Sequence, residues 1–166
     1  MLIQDKLDRF VAVAEHEIGT REAATNRVKY GAWYGMNGQP WCAMFVSWCA
    51  QQAGILTIEK TMPCPMIPKM SYTPSMQAWY LRNRRLLAPS MVSTNPNYPK
   101  RGDIVLIDSQ GKSSVNHVGI VSGINGTACE VIEGNCGNMV KKVVYHNLRS
   151  KTGAKILYLC SNHVSY

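Results

Sequence analysis

The hydrophobic period of the chain changes once, and that change limits the folds open to it. Up to about Arg85 the apolar residues recur every three or four positions; beyond Lys100 they come in short β-type runs separated by glycine and asparagine. Leu7, Phe10, Val11, Ala14 and Ile18 form a stripe that predicts a helix over 4–18, stopped by Gly19. A second helix is expected to start at Trp41 or Cys42 and end at Gly54, with Phe45, Val46, Cys49, Ala50 and Ala53 facing a core. Because it is apolar nearly all round, it reads as buried. A third, short helix takes Ser75 as its N-cap and ends in arginines that suit a helix C-terminus. Residues 20–40 carry no sustained period and read as loop or short helical turns. Pro63, Pro65, Pro68 and Pro74 forbid a helix between 57 and 75, so Met62, Met66 and Met70 are expected to wrap the surface and fill gaps. The runs at 103–108, 117–123, 128–134, 141–148 and 154–160 predict an antiparallel meander. Helices first and strands afterwards specify an α+β domain, with N-terminal helices packed against a C-terminal antiparallel β-sheet.

Composition narrows the class. A chain of 166 residues, 46% apolar and 17% charged, suits a single domain over 1–166 around one core, and no linker or repeat divides it. No run approaches the roughly 18 apolar residues of a membrane span, and the N-terminus reads as an amphipathic helix instead of a signal peptide. Stable membrane insertion is therefore not expected. A formal charge of +8 favours encounter with polyanions. The basic residues are scattered apart from 82–85 and 141–142, and no recognition helix or RNA-binding signature accompanies them, so nucleic acid is not expected as a partner. Six cysteines without a C-x2-C pair give no support to a structural zinc, and neither a metal nor another cofactor is called for. A chain of this length can also bury a core without disulfides.

Cys42 stands apart from the other thiols. Asn37, Gly38 and Pro40 break the chain just ahead of it, so the unpaired N–H groups of the first helical turn favour its thiolate. Cys49, Cys129 and Cys160 fit the ordinary reading of a free cysteine as a small buried apolar residue, and Cys136 reads as packed or solvent-facing. A nucleophilic thiol needs a histidine brought to it by the fold. His117 is the best of four: His16 lies on the polar side of the first helix, His146 in a late strand and His163 in the tail. It opens an apolar strand after a polar loop. Glu133 and Asn135 end the next strand and can orient the imidazole. A two-residue turn at Asn125-Gly126 would set His117 opposite Gly134 and turn Glu133 to the other face. A three-residue loop, Ile124-Asn125-Gly126, or an equivalent bulge, would put His117 and Glu133 on one side. Trp33, Tyr34 and Trp41 read equally as packing or as substrate groove.

"GQPWCAMFVSWCAQQAGI", "RGDIVLI", "NHVGIVSG" and "VIEGNCG", in that order, resemble the CHAP domain, the cysteine- and histidine-dependent amidohydrolase/peptidase family of the papain-like superfamily. The likeness runs from about Glu17 to Tyr158. It implies a papain-like fold and a monomeric peptidoglycan hydrolase of the endolysin type. Such an enzyme cuts an amide bond of the bacterial wall, as N-acetylmuramoyl-L-alanine amidase or as endopeptidase. By the same resemblance Cys42 is the nucleophile, His117 the general base and acid, Glu133 the orienting carboxylate and Asn135 the polar residue after it. Gln39 is a candidate second oxyanion donor and, with Trp33, Tyr34 and Trp41, a candidate substrate contact. Calcium sites found in some relatives use aspartates around the nucleophile; here residues 29–41 hold no acid and position 44 is methionine, so that site is expected to be absent. Without a leader, the expected route is accumulation in a host cytoplasm followed by release to the wall; an extracellular protein is the alternative. The competing functions are a non-catalytic wall-binding module of the same fold and an intracellular papain-like amidase or protease.

Overall fold

Leu7, Phe10, Val11 and Ala14 are the buried face of the first helix, α1 (Ile3–His16), in the computed structural model of the chain, which describes residues 1–88, 90 and 99–163. A short helix, α2 (Lys29–Tyr34), occupies part of the stretch that lacked a period and stops at Gly35 in the left-handed conformation. The buried helix, α3 (Cys42–Ala53), begins at Cys42 and closes on Gly54, whose φ is 74°. Helix α4 (Thr73–Arg82) starts two residues ahead of the expected Ser75 cap. Pro74 falls in its first turn, where a missing N–H removes no helical bond, so the proline extends the helix backwards. Before it, β1 (Leu56–Thr57) and β2 (Ile67–Pro68) form a small parallel pair, and Met62, Met66 and Met70 lie half-buried against the helical core.

The remaining strands are β3 (Leu86–Leu87), β4 (Ile104–Asp108), β5 (His117–Asn125), β6 (Ala128–Glu133), β7 (Lys141–His146), β8 (Arg149–Ser150) and β9 (Lys155–Cys160). They do not form the open meander that their sequence order suggests. Strand β9 inserts between β3 and β4 and also pairs with β8, so the sheet curls into an antiparallel barrel of six strands with β3 outside it. Closure pairs strand edges that an open meander would expose. Its cause is long-range, in the pairing of β9 with β4, and no local run of residues announces it.

Closure gives β4 and most of β5 two buried faces. Ile104, Leu106, Val118, Ile120 and Ile132 pack outward with the helices, whereas Val105, Ile107, Val121, Val131, Tyr145 and Leu159 fill the barrel. This is why β4 is apolar from Ile104 to Ile107, with all of its residues buried.

The β5–β6 hairpin departs from the expected three-residue loop. Ile124 and Asn125 stay in the strand, paired with Cys129 and Ala128, and the turn is Gly126-Thr127. That register alone would send His117 and Glu133 to opposite faces. Ser122 corrects it. It is the extra residue between the pairs Val121↔Val131 and Gly123↔Glu130, and this bulge shifts the register by one. Arg101 pins the bulge by donating to the Ser122 carbonyl at 2.7 Å while pairing with Glu15 of α1 at 2.8 Å. Beyond the bulge Gly119 comes opposite Glu133, and His117 lies on the same face.

At the end of β6 the chain touches α3. A Cβ built on Gly134 would stand 2.6 Å from the Cβ of Phe45, so only glycine allows this approach, one turn past Cys42. Gly134→Ala is expected to destabilise the protein by about 2 kcal/mol, measured by denaturant unfolding, because the strand end must move off the helix.

Candidate active site

Cys42, His117 and Glu133 come from three elements: the first residue of α3, the first of β5 and the last of β6. All three are nearly buried, at 8%, 9% and 3% exposure. Cys42 has an apolar neighbour on each side along α3, and no side chain caps that helix, so the N–H groups of its first turn stay free beside the sulfur. His117 is delivered by the polar loop before it. Asp108 accepts from the backbone N–H of Gln110, Lys112 and Ser113 and from Asn116 Nδ2, which folds residues 109–116 into a tight return.

His117 Nε2 donates to Glu133 Oε2 at 2.8 Å. The pair is diagonal across the hairpin, since Glu133's direct neighbour is Gly119. A Cβ on Gly119 would sit 2.2 Å from Val131 Cγ1 and 2.9 Å from Glu133 Cγ, so the glutamate reaches the imidazole by crossing a residue without a side chain. With Nε2 committed to the carboxylate, Nδ1 is the ring nitrogen left for the hydrogen bond with the Cys42 thiol. Burial by itself would lower the His117 pKa. The hydrogen bonds and charges of Cys42 and Glu133 outweigh it and push the value up to about 10. The other oxygen of Glu133, Oε1, accepts from the Tyr145 hydroxyl at 2.6 Å, and the Cys136 thiol also bonds this carboxylate. Burial and the same carboxylate push the Cys136 thiol up, which disfavours its thiolate.

A cavity of about 410 Å³ opens on the barrel side of the histidine, with Ser109, Asn135, Cys136, Lys141 and Tyr145 among its lining residues. Asn135 is half-buried with φ of 55° and lines this cavity together with His117 and Glu133. The remaining sequence candidates are not gathered there. Trp41 is fully buried and donates its indole N–H to Glu22 at 3.0 Å, so here it packs in the core. Trp33 and Tyr34 meet edge to face on α2, and the Lys69 ammonium lies 5.0 and 5.1 Å from their ring centres. Gln39 is exposed in the turn before α3. Among the described residues no group of three or more acidic, histidine or cysteine side chains is arranged to hold a metal ion, and no helix is long and apolar enough to cross a membrane. No disulfide is formed among the cysteines of the described residues.

Sequence reasoning missed Tyr145 and the two glycines. An isolated glycine in the middle of the run "HVGIVSG" is the signal that pointed to a close approach at Gly119. Such an arrangement can hold a thiolate against an imidazolium in a site with little water. A histidine whose folded pKa lies above its unfolded value stabilises the fold fully below about pH 6.5 and loses that contribution as pH rises through about 10. In an NMR titration the His117 ring should therefore stay protonated through neutrality, and Glu133→Gln should lower its pKa; an unperturbed value near that of a free imidazole would contradict the geometry.

The family model described as the CHAP domain matches residues 33–135, a span that runs from α2 through the end of β6 and includes Cys42, His117 and Glu133. Among solved structures the chain is similar to the peptidoglycan hydrolase RipB from Mycobacterium tuberculosis, with a TM-score of 0.56 at 16% identity, over 99% of this chain and 67% of that one. At that identity the likeness is one of fold. No curated protein matches the sequence. The matched family segment takes up well over half of the described residues and contains the whole buried Cys-His-Glu arrangement, and the chain belongs to the CHAP domain family.

Proposed function

We propose that the chain is a peptidoglycan hydrolase that cleaves an amide bond of the bacterial wall by cysteine catalysis, as a single papain-like catalytic domain. The observation that carries this reading is the buried line from the Cys42 thiol through His117 to Glu133, with Nε2 and Oε2 2.8 Å apart. The proton of the Cys42 thiol rests on His117, and the Cys42 thiolate sulfur attacks the carbonyl carbon of the amide. The free N–H groups at the start of α3 steady the developing oxyanion, with Gln39 as a second donor once substrate is bound. As the C–N bond breaks, the proton on His117 passes to the leaving nitrogen and a thioester remains on Cys42. Water, deprotonated by His117, then attacks the thioester carbon, releases the acid and restores the thiol. Glu133 keeps the ring turned for both transfers. Asn135 contacts the substrate or the histidine from the cavity rim.

The RipB likeness supports peptidoglycan as the substrate class, and the formal charge of +8 favours approach to an anionic wall. A phage-type lysin, released from a host cytoplasm, is the biological setting this reading proposes. The scissile bond is either the one joining glycan to stem peptide or one within the peptide. Mass spectrometry of digested walls distinguishes them, since new N-terminal alanine on free stem peptides marks the first and a new amine inside stem or bridge the second. Purified walls should lose turbidity with the wild-type chain, and Cys42→Ser should reduce the rate by a factor on the order of 10³ or more. Lysis that survives alkylation of Cys42 would overturn the nucleophile assignment.

A further inference from the structure

We propose that Tyr145 is a positioning residue for this site, its hydroxyl fixing the Glu133 carboxylate that in turn holds His117; the proposal rests on the hydrolase reading above. Tyr145 is 1% exposed and belongs to the core that fills the barrel. Its place in β7, opposite Cys129, puts its ring on the same interior face as Val131 and Glu133. The hydroxyl donates to Oε1 at 2.6 Å while Oε2 accepts from the imidazole at 2.8 Å, so the two bonds fix both oxygens and with them the plane of the carboxylate. Packing alone would not do this, because Glu133 borders the cavity of about 410 Å³ and has room to rotate into it. Lys141, its direct neighbour across β6–β7, lines the same cavity and offers a competing partner if the carboxylate swings. Cys136 contacts the carboxylate as well, but a thiol is a weak donor and leaves the tyrosine as the strong one.

The consequence can be read at Cys42. The hydroxyl holds Oε1 so that Oε2 faces the imidazole, and without it the carboxylate can turn away from His117. A carboxylate turned away no longer helps to raise the His117 pKa, and the charged ring beside the Cys42 sulfur is the weaker for it. Site-resolved alkylation of Cys42 by iodoacetamide, followed by peptide mass spectrometry across pH, measures this without any wall substrate. Tyr145→Phe should move the acid limb of the profile to higher pH and slow alkylation near pH 6 by about tenfold, with wall lysis falling in parallel. In a Glu133→Gln background the same change should have no further effect. Replacing Tyr145 by 3-fluorotyrosine, which retains the ring and strengthens the donor, should move the limb the other way, and it serves as the test if Tyr145→Phe does not fold. An unshifted profile in both variants, or an equal loss with and without the Glu133 carboxylate, would overturn the positioning role. Failure of the hydrolase reading looks different: the Cys42 profile would respond to Tyr145 while wild-type protein left walls intact.

Discussion

Glu133 reaches His117 by lying across Gly119, and the rest of the site is arranged around that crossing. The carboxylate and imidazole are diagonal neighbours on the inner face of the barrel, and the position between them has no side chain. Getting both residues onto one face requires an even register between β5 and β6, and the Gly126-Thr127 turn gives an odd one. The Ser122 bulge makes up the difference. Arg101, held by α1, fastens the carbonyl of the bulged residue, so the N-terminal helix helps to set the His117–Glu133 register without approaching the thiol.

A carboxylate that is almost wholly buried is a costly group to leave unsatisfied. Here it has a partner on each oxygen and a thiol nearby, and the charge it places beside His117 overcomes the desolvation of the ring. Buried polar chains of this kind are sensitive at every link, because loss of one donor exposes the next group to an environment without water to replace it. Tyr145, Glu133, His117 and Cys42 thus form a line running from the barrel interior to the start of a helix.

The start of α3 at Cys42 was legible from the turn ahead of it, and so were α1 and the five longer strands, since these depend on local period and on glycine and proline. The pairing of His117 with Glu133 was legible only as a demand on parity; the device that meets it was placed at the turn, three residues from where it lies. Neither residue type nor spacing marks Ser122, because a bulge is decided by what the two ends of the hairpin must pack against. Barrel closure through β9 was hidden for the same reason. Trp41 read equally as packing or as groove, and its burial was not legible because the Glu22 carboxylate that accepts its indole N–H comes from a loop 19 residues upstream. Tyr145 was overlooked because its partner is set by the inside of a barrel that the sequence does not reveal.

Cys42 belongs to the core between helices and barrel, whereas Glu133 and Tyr145 belong to the space within the barrel. Thiol and imidazole therefore meet at a joint between two separately packed layers, where Gly134 lies tight against Phe45. A small slip of one layer over the other would part thiol from imidazole while leaving both cores filled. The working state of this molecule is thus narrower than its folded state, and the tightness of one glycine contact sets the margin between them.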